Sequence, residues 1–150
     1  MSDFLMDFET KETAVKDFIE SNLPSYLTAA ELPSVDAFID DFLDFDKYKA
    51  STQIFYDFVN YTFENLTNQS NKLNFRMSVY VVLRNDTPAT LRTNLLKFAA
   101  CFYQLFAETG GNFGGIFDHG LLTECNFYNA AEGHKELKVC EIEFEFETEL

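Results

Sequence analysis

Two histidines and two cysteines recur at equal spacing: His119 with Cys125, then His134 with Cys140. Two imidazoles and two thiolates are a tetrahedral zinc set. A symmetric antiparallel hairpin over this stretch keeps them apart, because it puts His119 opposite Cys140 and Cys125 opposite His134. At about 3.3 Å per residue those two pairs stand roughly 20 Å apart, so one ion cannot touch both. Cys140 beside His119 is then the one thiol–imidazole pair with an argued proximity. A cysteine nucleophile also needs a lowered pKa and an orienting third group, and Asp118 points to the other face of a regular strand. Carboxylates are abundant, but no two are marked out as an acid/base pair across a cleft. The cluster Asp40 to Asp46 lacks the glycine and terminal bidentate glutamate of a calcium loop. Gly110-Gly111-Asn112-Phe113-Gly114-Gly115 lacks the Lys-Ser/Thr ending of a phosphate loop and follows a helix instead of a strand. The residues therefore predict no catalytic site, no metal and no cofactor.

Acidic patterning is the stronger signal. In Val139-Cys140-Glu141-Ile142-Glu143-Phe144-Glu145-Phe146-Glu147 apolar residues alternate with glutamates, the period of a strand buried on one face only. Glu141, Glu143, Glu145 and Glu147 then share the face turned to water or to a basic partner. With Asp40 and Asp44 they form the candidate interaction residues. Like charges two residues apart repel, so such a row suits a place where water or a cation screens it.

The elements that would position these groups follow from periodicity. Ala14, Val15, Phe18, Ile19 and Leu23 recur at helical spacing from Thr10, and Pro24 is expected to stop that helix. After a connector to Pro33, Ser34 caps an expected short helix with Val35, Phe38, Ile39, Phe42 and Leu43 on one stripe and Asp36, Asp40 and Asp44 opposite; a strand over Phe42 to Tyr48 is the other reading. Gln53 to Leu66 is aromatic and β-branched, as a strand is. A turn at Thr67 to Asn71 leads to Leu73, Phe75, Met77, Val79, Val81 and Leu83, which alternate with Asn74, Arg76, Ser78, Tyr80, Val82 and Arg84, completing a hairpin. Thr87-Pro88 is a cap followed by proline at the first helical position. The main helix carries Leu91, Leu95, Phe98, Phe102 and Leu105, widened by Leu96, Ala99 and Phe106, and ends near Gly110-Gly111. Asn112 to Leu150 reads as a second hairpin around a turn at Asn129 to Gly133, with Phe113 opposite Phe146, Phe117 opposite Ile142, and a bulge near Gly120. The predicted fold class is α+β: residues 1–150 as a single domain, an antiparallel sheet of about four strands in two hairpins, and helices packed on one face.

Composition narrows the function classes. With 11 Lys and Arg against 25 Asp and Glu, the formal net charge is -14, which opposes tight binding of nucleic acid and favours basic partners. Eighteen Phe, seven Tyr and no Trp predict a phenylalanine core with few buried polar atoms. Three cysteines without CxxC spacing suit a reducing compartment. Acids stand in the first residues where a signal peptide carries bases, and no apolar run approaches the ~18 residues of a membrane span. Neither signal-directed secretion nor membrane insertion is expected.

The order of an N-terminal helix, a hairpin ending in Arg76-Met77-Ser78-Val79-Tyr80-Val81-Val82-Leu83-Arg84, a packed helix, Gly114-Gly115-Ile116 and the strand Lys138-Val139-Cys140-Glu141-Ile142-Glu143-Phe144 resembles tail-terminator or tail-completion proteins of long-tailed bacteriophages. The acidic segment Asp36 to Asp46 and the long first strand depart from that pattern. The resemblance implies a non-enzymatic ring, commonly a hexamer, that caps the tail tube, meets tail-tube and head-connector proteins, and lets DNA pass without holding it. It implies a location in the virion or the host cytoplasm. The alternative is a small acidic cytosolic module or inhibitor that binds a basic protein.

Overall fold

The structure is a computed structural model and describes residues 3–40, 43–65, 71–128 and 136–149. Elements run α1 (Asp3–Ala29), β1 (Ala37–Ile39), β2 (Thr52–Asn65), β3 (Asn71–Arg84), α2 (Pro88–Glu108), β4 (His119–Tyr128) and β5 (Leu137–Glu149). The architecture is α+β. The strands form one five-stranded mixed sheet in the order β1-β2-β3-β5-β4. The predicted hairpins are β2–β3 and β4–β5, and β3 pairs with β5 to join them. The expected four antiparallel strands become five because β1 adds to β2 in parallel. The turns expected at Thr67 and at Asn129 to Gly133, and His134, lie outside the described residues.

Both helices lie on one face. Val15, Ile19, Leu23 and Leu27 of α1 and Leu95, Phe98, Phe102 and Leu105 of α2 share a buried cluster with Phe75, Met77 and Val79 of β3 and Ile142, Phe144 and Phe146 of β5. Leu96, expected on the buried stripe, is instead among the exposed apolar side chains. Thr87 caps α2 as its type predicts, its side chain accepting from the Thr90 N–H at 3.3 Å with Pro88 inside the first turn.

Pro24 does not stop α1. Leu23 and Leu27 remain buried one turn apart, so tertiary packing of the apolar stripe carries the helix through the proline. The helix runs instead to Ala29 and is closed just beyond it, where Glu31 takes a left-handed φ of 58° and the Leu32 N–H donates back to the Leu27 carbonyl at 2.9 Å.

The helix expected from Ser34 is also replaced, by β1. Asp36 spends its carboxylate on the Thr52 N–H at 2.9 Å, and its own N–H donates to the Thr52 carbonyl at 2.8 Å. A side chain that bonds backbone in this way competes with helix. Phe38 and Ile39 then enter opposite faces, Phe38 stacking on Tyr56 at 6.3 Å and Ile39 joining Phe45, Phe55, Val82, Leu137 and Val139. That second cluster covers one end of the face the helices leave open.

The β4–β5 register differs from expectation. Phe146 faces Gly120 and Ile142 faces Cys125, so β5 slides relative to the predicted pairing with Phe113 and Phe117, by seven residues at Phe146 and eight at Ile142. The glycines account for the slip: Gly110, Gly111, Gly114 and Gly115 all adopt positive φ, as does Phe113 at 52°, and this folds residues 110–118 into turns that cannot join a ladder. Phe113 and Phe117 still reach Phe146, at 5.2 and 4.3 Å between ring centres, but as loop side chains laid over the strand end. The face switch expected near Gly120 is present as a register shift between Leu122 and Glu124.

Candidate functional site

The open face of the sheet gathers the acidic residues. Its alternating positions include Asp57 and Glu64 of β2, Lys72, Arg76, Ser78 and Tyr80 of β3, Glu124 of β4, and Glu141, Glu143, Glu145, Glu147 and Glu149 of β5. Because β5 lies between β3 and β4, the glutamate row has a neighbour on each side. Across the ladder, Glu141 is set between Tyr80 and Asn126, Glu143 between Ser78 and Glu124, Glu145 between Arg76 and Leu121, and Glu147 between Asn74 and His119.

The four glutamates meet different chemistry. Glu141 accepts from three hydroxyls, Tyr80 at 3.0 Å, Tyr128 at 3.1 Å and Ser78 at 3.3 Å. Glu145 pairs with Arg76 Nε at 3.2 Å and Glu147 with Lys72 Nζ at 2.9 Å. These two pairs are partly exposed, so water screens them and their contribution is small. Glu143 faces another acid. Its hydrogen bond with Glu124, then burial, then the charge of Glu141 raise its pKa above the usual carboxylate range. The row is therefore half neutralised within the chain, and its unbalanced charge centres on Glu141, Glu143 and Glu124.

The sign of that shift gives a prediction. A carboxyl whose folded pKa exceeds its unfolded value stabilises the fold at pH below the unfolded pKa, and the contribution disappears as pH rises through the folded pKa. Two ionised glutamates opposed across a ladder cost about 0.2–1 kcal/mol. Glu143→Gln should therefore be more stable than the parent by that amount at neutral pH and lose the advantage as pH falls through the carboxylate range. Urea midpoints over that range measure it; a constant difference at all pH values would contradict the opposition of Glu143 to Glu124.

Asp40 and Asp44, expected together on a helix face, are placed apart. Asp40 follows β1, pairs with Lys16 Nζ at 2.6 Å and lines a cleft of about 410 Å³ with Leu43, Phe55, Asp57 and Tyr80. Asp44 turns inward on its own loop, its Oδ1 accepting from the Asp46 and Lys47 N–H groups at 3.0 Å each. Asp57 and Glu124 were absent from the sequence reading; the alternation of β2 marks the first, and only the β4–β5 register finds the second.

The thiol–imidazole pair is not formed. His119 faces Glu147 instead of Cys140, and Asp118 holds the end of β5, accepting from the Glu149 N–H at 2.8 Å and the Thr148 hydroxyl at 3.3 Å. Those bonds, the backbone one foremost, lower its pKa. Cys140 is fully buried, and desolvation ahead of any neighbouring charge pushes its thiol up to about 12. Cys101 is buried against α1, its thiol 3.5 Å from the Tyr26 carbonyl. Cys101 and Cys140 should therefore ignore a thiol reagent in the native protein and react only after unfolding; rapid native labelling of Cys140 would contradict its burial. Among the described residues no group of three or more His, Cys, Asp or Glu could hold a metal, and no helix is long and apolar enough to cross a membrane.

The candidate site is thus an acidic sheet face on an α+β protein. No known protein family matches the chain, and no curated protein matches it.

Proposed function

We propose that the chain is a non-enzymatic structural protein of a phage or prophage tail, assembling as a ring that terminates the tail tube or joins it to the head. The observation that carries the proposal is the open sheet face, which the helices leave uncovered and on which Glu124, Glu141 and Glu143 concentrate charge. A duplex carries one negative charge per about 1.7 Å of axis, so a channel bordered by carboxylates repels it and lets it slide. Burial of Cys101 and Cys140 and separation of His119 from Cys140 support a role without catalysis.

A basic protein partner is the second reading. It is favoured by the cleft beside Asp40 and Asp57, which continues through Tyr80 to Glu141. Charge reversal separates the two. In a ring, Glu124→Lys with Glu143→Lys should preserve assembly and make the protein retard double-stranded DNA, which the parent does not. In a binding module the same change should abolish salt-sensitive capture of a cationic partner by a chain that stays monomeric. Retardation of DNA by the parent protein would overturn the channel reading.

A further inference from the structure

A line of acids crosses the open face at right angles to its strands. Asp57 of β2 pairs with Ser78 of β3, Ser78 with Glu143 of β5, and Glu143 with Glu124 of β4. Residues paired across a ladder share a face, so three carboxylates and a buried serine stand in one row. Neighbouring strands are about 4.8 Å apart, which sets Glu143 about 10 Å and Glu124 about 14 Å from Asp57. Among the described residues no lysine or arginine forms an ion pair with these three acids, nor with Glu141, which flanks the row and accepts from hydroxyls. At its β2 end the row opens into the cleft of about 410 Å³, where Asp40 stands with Asp57 beside Leu43 and Tyr80. At its β4 end the exposed side chains of Leu121 and Tyr128 lie to either side of it.

We propose that this row is the track of an extended basic segment of a partner protein, which crosses the strands with its first cationic side chain in the Asp40–Asp57 cleft and its third at Glu124. The inference rests on the basic-partner reading and gives that partner a shape. Charge selects the occupant. Glu143 and Glu124 oppose each other across the ladder, with Glu141 adding to the repulsion, and a cationic group set among them relieves it. Nucleic acid and a second copy of this chain, at -14, are both repelled. Length then fixes the match. Side chains on one side of an extended chain recur every two residues, about 7 Å, so cations at the first, third and fifth of five residues span about 14 Å, the reach from Asp57 to Glu124. The apolar stems of those side chains lie along Tyr80, Tyr128 and Leu121 while their charged ends meet the carboxylates.

The test is calorimetric titration of the full chain with acetyl-Lys-Ala-Lys-Ala-Lys-amide at low and high salt, beside spermidine as a free trication. The row predicts one saturable site per chain that weakens as salt rises and holds the peptide about fivefold or more tighter than spermidine. Asp57→Asn, Glu124→Gln and Glu143→Gln should each weaken the peptide about fivefold while circular dichroism stays native. Glu143→Gln should do so although it makes the free protein more stable, which a merely damaged fold would not show. Glu9→Gln, which removes the same charge from an exposed position of α1 on the helix side, should leave binding unchanged. Equal weakening by Glu9→Gln overturns the row and leaves the basic-partner reading standing. Absence of any salt-sensitive binding of the peptide overturns both. Spermidine bound as tightly as the peptide, with the same dependence on Asp57, overturns the protein segment and makes a free polyamine the occupant.

Discussion

Replacing Phe146 by alanine should lower the unfolding free energy by about 3–5 kcal/mol, the range for removing a buried aromatic ring. Phe146 has no exposed surface. Its ring stacks on Phe117 at 4.3 Å and lies 5.2 Å from Phe113, 6.1 Å from Phe106 and 6.2 Å from Phe75. Strand β3, helix α2 and the loop before β4 thus converge on one side chain. Against a total stability of about 5–15 kcal/mol for an ordinary domain, the loss is large. Urea unfolding measures it, and a change below about 1 kcal/mol would show that these rings are not packed as one body.

Gly120→Ala should be damaging even though only one methyl group is added. A Cβ at Gly120 would stand 2.2 Å from the Gly111 carbonyl oxygen and 2.6 Å from Cδ1 of Phe146. Neither neighbour can yield. The carbonyl belongs to the turn closed by the Gly111 N–H on the Phe106 carbonyl at 2.9 Å, and the ring is the one just described. Overpacking of this kind costs about 1–3 kcal/mol, and here relief comes most easily by lifting β4 from β5. The expected signature is a drop in stability accompanied by faster exchange of the β4 amides than of the β3 amides. A Gly120→Ala protein within about 0.5 kcal/mol of the parent would contradict this close approach.

What the sequence makes legible here is local. The cap Thr87, the alternation of β3 and the glutamate register of β5 depend on neighbours within a few residues, and all three stand in the structure. What it hides is long-range competition. Pro24 breaks a helix in isolation, but Leu23 and Leu27 continue the buried stripe across it. Residues 37–39 read as part of a helical stripe because the adjoining edge of β2 is invisible from so short a segment. Phe113 and Phe117 are indeed partners of Phe146, as their type suggested, yet the positive-φ glycines around them make that partnership a folded loop. The candidate face shows the same division. Glu141, Glu143, Glu145 and Glu147 share a face as their spacing required, while the neutralising Arg76 and Lys72, the opposing Glu124 and the separation of Asp40 from Asp44 follow from a strand order that pairs β3 with β5.

The central claim is that this acidic α+β protein works by assembling, with its glutamate face along a path for DNA. Light scattering of the purified chain across a range of concentrations tests it most directly. The account predicts a closed species whose mass is a fixed multiple of 17.3 kDa and which survives dilution, as a ring with every contact satisfied should. A protein that remains monomeric at every concentration would contradict it.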